Sequence, residues 1–289
     1  MLEKKIILII FCFLIGGIKL FTMSAIDGIY TFKVGQFEIF TLVEAEREGN
    51  TAILADVDEE MLNRYIHETR FMHTTNAFLI KTPELNILID TGTGAGGVIV
   101  EKIQQIGIAP TDINIILLTH LHFDHFGGLQ RDGIANFPNA KIYLSEYEFE
   151  YFTVRNINQT VIDVLGLYLD NIETFIPSEL EMEHIPLFTG IIPIANYGHT
   201  PGHTVFLIES NNDMLIIAGD FLHLALIQFP NPDISAIFDV DQQAAAFSRN
   251  QIINYAARNK IPIGGMHIVY PGIGTVEAEG RGYKFTPLQ

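Results

Sequence analysis

Cysteine is all but missing from this sequence: among 289 residues the one thiol is Cys12. A disulfide within the chain is therefore excluded, and any metal site has to be built from His, Asp and Glu. Positive charge is scarce as well, with 17 Lys and Arg against 34 Asp and Glu. Such a surface repels phosphate backbones, which excludes nucleic acid as a partner and favours a small, neutral substrate. No apolar run reaches the roughly 20 residues needed to span a bilayer. There is also no low-complexity tract, no fixed-period repeat and no linker rich in Pro, Gly and Ser. What the chain does have is apolar bulk, 48% hydrophobic against 18% charged residues. That is enough for a full core, so a disordered or fibrous chain is excluded.

The first 25 residues stand apart from the rest. Lys4 and Lys5 precede an apolar run over 6–18, Lys19 ends it, and Ser24 and Ala25 follow. A basic start, a short apolar stretch and a small-residue exit predict a secretory signal peptide over 1–25. The expectation is a secreted or periplasmic protein with one domain over 26–289, touching a membrane only through the leader if it stays uncleaved.

Apolar runs predict strands over 29–34, 37–43, 76–81, 86–90, 113–119, 141–144, 191–194, 205–209 and 214–218. Ile99, Ile103 and Ile106 share one face of a helix over 98–106 that Gly107 stops, and a second helix is expected over 241–258, before Pro262. The acidic, aromatic stretch 146–151 reads as a short amphipathic helix with a solvated face. Strands mixed with helices indicate an α/β (α+β) chain whose sheets are covered by helices.

The chemistry is concentrated after the run 115–119, where His120, His122, Asp124 and His125 form H-x-H-x-D-H. Alternation sends His120 and His122 the same way, toward one ion, while Asp124 and His125 on the following turn can aim at a second. Gly127 and Gly128 let the backbone leave this crowded place. Two divalent ions need about three protein ligands each and a shared bridge. Three further candidates each end an apolar run: His199, Asp220 and His267. Asp90, also at a strand end, is a candidate for holding a metal-bound imidazole, with a helix N-cap as the alternative. His203 repeats the Gly-His-Thr pattern of His199 and is expected to make structural hydrogen bonds, while His67 and His184 are expected at the surface. Gly92-x-Gly94-x-x-Gly97 mimics a dinucleotide fingerprint, yet the histidine cluster occupies the place of the ribose-binding acid, so close strand-to-helix packing is the favoured role. Phe71, Met72 and His73 are candidates for an apolar wall over the site, or for a plain loop.

In this order, Ile89-Asp90-Thr91-Gly92, the H-x-H-x-D-H cluster, Gly198-His199-Thr200-Pro201-Gly202-His203-Thr204, Gly219-Asp220 and His267 resemble the metallo-β-lactamase superfamily. Asn76-Ala77-Phe78-Leu79, Phe137-Pro138-Asn139-Ala140, Gly219-Asp220-Phe221-Leu222 and Pro271-Gly272-Ile273-Gly274 are similar to its branch of methyl parathion hydrolase and the N-acyl homoserine lactone lactonases. The resemblance implies an αβ/βα four-layer sandwich with two divalent metal ions at one edge. His120, His122 and His199 would hold one ion, Asp124, His125 and His267 the other, and Asp220 would bridge. Zinc is the default, with manganese, cobalt or iron also suited to such N/O ligands. His122 stands where flavodiiron oxidoreductases carry Glu, which favours hydrolysis. The implied reaction uses a hydroxide made from a metal-bridging water, with Asp124 and Asp220 orienting it and moving its proton. The favoured substrates are N-acyl homoserine lactones, hydrolysed in quorum quenching, and an aryl phosphotriester is the alternative. A glutathione thioester, a β-lactam or metal binding without catalysis rank lower. His223 stands where many of these lactonases carry a substrate-contacting Tyr, and is expected to replace that phenol as a hydrogen-bond donor to the substrate or to line its pocket. Assembly as a homodimer is left open.

Overall fold

A computed structural model describes residues 28–66, 71–94 and 96–289. The expected signal peptide and His67 therefore lie outside the described residues.

Two sheets form the body of the molecule. The first takes in the hairpin of β1 (Ile29–Val34) and β2 (Phe37–Glu48), then β3 (Met72–Lys81), β4 (Asn86–Ile89) and β5 (Ile115–Leu117). After a separate small hairpin of β6 (Gln130–Arg131) and β7 (Ile134–Ala135), β8 (Lys141–Ser145) and β9 (Ile172–Phe175) complete a seven-stranded order β1-β2-β3-β4-β5-β8-β9. The second sheet runs in chain order through β10 (Ile191–Ala195), β11 (Thr204–Ser210), β12 (Asp213–Ile217), β13 (Ile263–Gly264), β14 (Ile273–Glu279) and β15 (Gly282–Pro287). Its pairs are antiparallel except β12 with β13.

The helices are α1 (Glu59–Tyr65), α2 (Ile99–Gln105), α3 (Phe123–Phe126), α4 (Glu146–Glu150), α5 (Gln159–Leu165), α6 (Ala225–Gln228) and α7 (Gln242–Asn259). Among the described residues none is long and apolar enough to cross a membrane.

Strand alternation sorts the side chains into layers. Phe78, Ile80, Ile87 and Ile89 of the first sheet meet Phe206, Ile208, Leu215 and Ile217 of the second in the central core. Their neighbours Ala77, Leu79 and Leu88 face outward onto Ile99 and Ile103 of α2 and Val161 and Val164 of α5. On the far side, Val205, Leu207 and Ile216 pack on Ile252, Ile253 and Ala256 of α7. The result is the four-layer αβ/βα sandwich. A separate cluster joins Leu54, Leu224, Ile227 and Ile234 to Met61, Leu62, Tyr65 and Phe71 beside one sheet edge.

Some boundaries differ from the sequence reading. The strand expected over 76–81 begins at Met72, because Thr74 and Thr75 are buried and pair with Glu46 and Ala45. The run 113–119 contributes only Ile115–Leu117 to the sheet, as the chain turns away toward the histidines. The helix expected over 146–151 forms with its solvated face, on which Glu146 and Tyr147 are exposed, but one of its acids is not on that face: Glu148 is fully buried. Glu146 and Glu150 share a face four residues apart, whereas Glu148, two residues from each, points the other way.

Candidate metal centre

Every candidate ligand follows a strand of the central sheets, at the same edge of the sandwich. Asp90 follows β4, the 120–125 cluster follows β5, His199 lies between β10 and β11, Asp220 follows β12 and His267 follows β13. Strands locked into two packed sheets fix where these loops start, and the short helix α3 turns Asp124 and His125 back toward the site.

The seven side chains converge as two groups that share Asp220. In each group, His120–His122–His199–Asp220 and Asp124–His125–Asp220–His267, the potential ligand atoms lie within 4.8 Å of one another. In the first group His120 Nε2 is 3.0 Å from His122 Nδ1, His122 Nδ1 is 2.9 Å from His199 Nε2, and His199 Nε2 is 3.2 Å from His120 Nε2. In the second, Asp220 Oδ1 lies 3.2 Å from His125 Nε2 and 3.1 Å from His267 Nε2, and Asp124 Oδ2 is 3.6 Å from both rings.

Hydrogen bonds behind the rings decide which nitrogens point inward. His199 Nδ1 donates to Asp239 Oδ1 at 2.7 Å, and His267 Nδ1 to the Thr74 carbonyl at 2.7 Å. His125 Nδ1 meets Asp90 Oδ2 at 2.6 Å. Asp90 also accepts the Thr119 N–H at 2.8 Å and its hydroxyl at 2.7 Å, so the hydroxyl oxygen is left to accept from His120 Nδ1 at 3.1 Å. Nε2 of His120 and of His199 therefore present lone pairs to each other, which a cation between them would reconcile. His125 Nε2 and Asp220 Oδ1 are buried without any hydrogen bond, and two such orphans at one point call for an ion. The donor set of imidazoles and carboxylates, with His120, His125, His199 and His267 held from behind, fits two divalent ions well.

Electrostatics separates the two groups. Burial and the neighbouring His199 push His122 down to about 3, and burial with the surrounding rings lowers His120 well below the ordinary value, so both stay neutral as ligands must. Burial would lower His125 too, but Asp220, Asp124 and Asp90 outweigh it and raise it well above its ordinary value. Asp220 gains the opposite way: desolvation opposes its charge, yet His125, His267 and His223 hold its carboxyl well below the usual range.

The remaining candidates fall as follows. Asp90 lies against His125, not at a helix N-terminus, and Val98 rather than an acid caps α2. His203 is structural, donating from Nδ1 to the Asn196 carbonyl at 3.0 Å and accepting the Asp220 N–H at 3.0 Å. His184, partly buried, contacts the Leu180 carbonyl. The glycine motif serves packing: a Cβ on Gly94 would lie 2.2 Å from the Gly127 carbonyl oxygen, and one on Gly97 2.0 Å from the Glu44 carboxylate. His73 stacks on His267 with ring centroids 4.4 Å apart. Phe71, Met72 and His223 line one cavity of about 370 Å³ beside His267, with Ile66, Leu224 and Ile227. A larger cleft of about 950 Å³ lies at the opposite strand ends, among Gln36, Pro83 and Asn211, far from the histidines. Size alone does not mark the site.

The sequence reading missed four residues that support the candidate ligands, directly or through a neighbour. Asp239 holds His199 and is itself held by the Ala236 N–H at 2.8 Å, with buried Arg249 3.6 Å away. Asn76 donates to the Gly265 and Ile268 carbonyls on either side of His267. Glu148 joins two ligand loops from below. Asn76 belongs to the motif Asn76-Ala77-Phe78-Leu79, which does not reveal its role, and no motif flags Asp239, Arg249 or Glu148; for Glu148 alone, the helical spacing of its neighbours offered a signal.

Comparison with known proteins agrees with this geometry. An N-acyl homoserine lactonase from Bacillus cereus is 27% identical over 164 residues, 48% of this chain and 60% of the relative, so the match spans less than two thirds of that protein. A probable metallo-hydrolase from Methanocaldococcus jannaschii is 31% identical over 155 residues, 51% of this chain and 67% of the relative. Among solved structures, AidC, described as a dizinc quorum-quenching lactonase in complex with a product, superposes with a TM-score of 0.80 at 26% identity, covering 91% of this chain and 98% of its own. The hydrolase AbOPH, of the beta-lactamase superfamily, gives 0.81 at 26% identity, covering 92% and 99%. Residues 72–272, from the first residue of β3 to the turn beyond His267, match the family model described as metallo-beta-lactamase superfamily, and the chain belongs to that family.

Proposed function

We propose that this protein is a dinuclear metal-dependent hydrolase of lactones, acting on N-acyl homoserine lactones, with zinc as its metal. The observation that carries this reading is the pair of ligand groups sharing Asp220, set against a mostly apolar cavity of about 370 Å³. The lactonase relatives and the AidC neighbour support it. Two divalent ions would supply the Lewis acidity that polarises the lactone carbonyl and makes a water nucleophilic near neutral pH.

The chain's own residues do the rest. Asp220 ties the two halves at a fixed distance, and Asp124, about a third exposed, is the carboxylate that can accept the water's proton and pass it to the departing alkoxide. His223 is buried with its ring on the cavity, and its Nε2 lies 3.2 Å from Asp220 Oδ2. Burial pushes this ring down to about 4, so it is neutral and has one donor and one acceptor. With Nε2 donating to Asp220 and Nδ1 buried inside the protein, the ring does not offer the substrate the donor expected of it, and its role is to form part of the cavity wall against which the acyl chain would pack. Phe71 and Met72 would line the acyl chain, and His73 backs His267. Export to the periplasm or medium after cleavage near Ile26 remains part of the proposal, supported by the basic, apolar and small-residue order of 1–25.

The test is a side-by-side comparison of kcat/KM for a homoserine lactone, an aryl phosphotriester, a cephalosporin and a glutathione thioester on zinc-reconstituted protein. The lactone should lead. A phosphotriester rate above it would move the protein to the alternative branch.

A further inference from the structure

Glu148 touches neither the candidate ligands nor the cavity, yet it is a fully buried carboxylate below the metal centre. Its Oε1 accepts the Leu121 N–H at 2.9 Å, and its Oε2 accepts the Thr200 hydroxyl at 2.7 Å and the Gly202 N–H at 2.9 Å. Leu121 stands between His120 and His122, and Thr200 follows His199. One carboxylate thus joins the two loops that carry all three rings of the first ligand group. Those loops otherwise belong to different sheets, one after β5 and the other after β10. The second group has other supports, Asp90 behind His125 and Thr74 behind His267.

The approach is close by construction. A Cβ on Gly202 would lie 2.2 Å from the Glu148 backbone nitrogen, so the 199–203 loop can press against α4 only with glycine there. The chain bears a cost to keep the acid: burial lifts its carboxyl to about 7 despite the three donors. A residue with no charge and no reach across the loops would avoid that cost, so the group is retained for what it holds.

We propose that Glu148 is a positioning residue for the His120/His122/His199 half of the centre, fixing the separation of its two loops so that the three nitrogens stand ready for an ion. This rests on the two-ion reading above. Both carboxylate oxygens face N–H donors, whereas a carboxamide accepts on one side only; Glu148→Gln keeps the size and releases one loop. Supporting groups behind imidazole ligands are worth about 10- to 100-fold in metal affinity, and a comparable loss is expected here, confined to one half of the centre.

The experiment is a zinc titration of the full chain against a chromophoric chelator, resolving two stepwise affinities in wild type and Glu148→Gln. Combination with one ligand variant at a time assigns the affected half. With His267→Ala, which disables the second half, Glu148→Gln should weaken the remaining ion at least tenfold; with His199→Ala it should leave the remaining ion unchanged. Should Glu148→Gln fail to fold, Thr200→Val removes one donor alone and should give a smaller loss in the same half. Equal weakening of both halves, or of neither, overturns the proposal while leaving the two-ion reading intact. A wild type that takes up fewer than two ions overturns that reading and the proposal with it.

Discussion

Asp90→Asn isolates the electrostatic part of the centre from its shape. Asp90 is buried, sits in the left-handed region at φ +56°, and accepts three hydrogen bonds between 2.6 and 2.8 Å. Asn tolerates the same backbone, so the fold is spared. The amide then has two choices. With its oxygen on the Thr119 N–H, its NH2 faces His125 Nδ1, which must become an acceptor; the ring proton moves to Nε2, the nitrogen aimed at the second ion. Turned over, the NH2 faces the Thr119 N–H, leaving a buried donor unpaired at a cost of about 1–3 kcal/mol. Either outcome weakens the ion held by Asp124, His125, Asp220 and His267 by about 10- to 100-fold, or about 1.4–2.7 kcal/mol. Zinc competition should show one wild-type affinity and one weakened affinity, with kcat/KM falling alongside. An Asp90→Asn protein that holds both ions as tightly as wild type would refute the tautomer argument.

Three other outcomes are expected. Asp220→Ala, which removes the carboxylate common to both groups, should cost both ions and all activity, and elemental analysis showing two ions per chain in the variant would contradict it. His223→Ala, which takes a ring off the cavity wall, should lower lactone kcat/KM about five- to tenfold, matching about 1–1.4 kcal/mol of lost packing, with metal content unchanged; an unaltered rate removes the substrate contact. For Glu148, a carboxyl raised from 4.5 to about 7 makes the native state bind more protons than the unfolded chain across that window. Its stabilising contribution is complete below 4.5 and is lost as pH rises through 7, up to about 3 kcal/mol in metal-free protein. Urea unfolding at pH 5 and pH 8 should show this drop, and Glu148→Gln should abolish it; an equal drop in the variant rules it out.

The strand ends were legible because Ile87–Ile89, Ile115–Leu117 and Leu215–Ile217 are unbroken apolar runs, as buried strands require, and the polar residue ending each run had nowhere to go but the edge. Histidine spacing pointed to the candidate ligands, which the structure brings together, for the same local reason. What stayed hidden is non-local. Asp239 finds His199 across 40 residues and Glu148 finds Gly202 across 54, and no periodicity encodes such a meeting. Helix α1 escaped because it has only seven residues, none of them fully buried, although Asp58 capping the Met61 N–H is a start signal in retrospect.

The cluster around Leu54, Leu224, Ile227 and Ile234 sits apart from the three cores of the sandwich, fastened to itself by pairing of Leu54 with Ala236 and of Ile237 N–H with the Ile53 carbonyl. It supplies Phe71, Leu224 and Ile227 to the cavity and none of the seven candidate ligands. Selection can therefore rework Phe71, Leu224 and Ile227 without changing a candidate ligand, whereas His223 and Ala236 tie the same segment to Asp220 and, through Asp239, to His199. Divergence to a new substrate would be written in wall residues such as Phe71, Leu224 and Ile227, while the strand ends that carry the candidate ligands stay as they are.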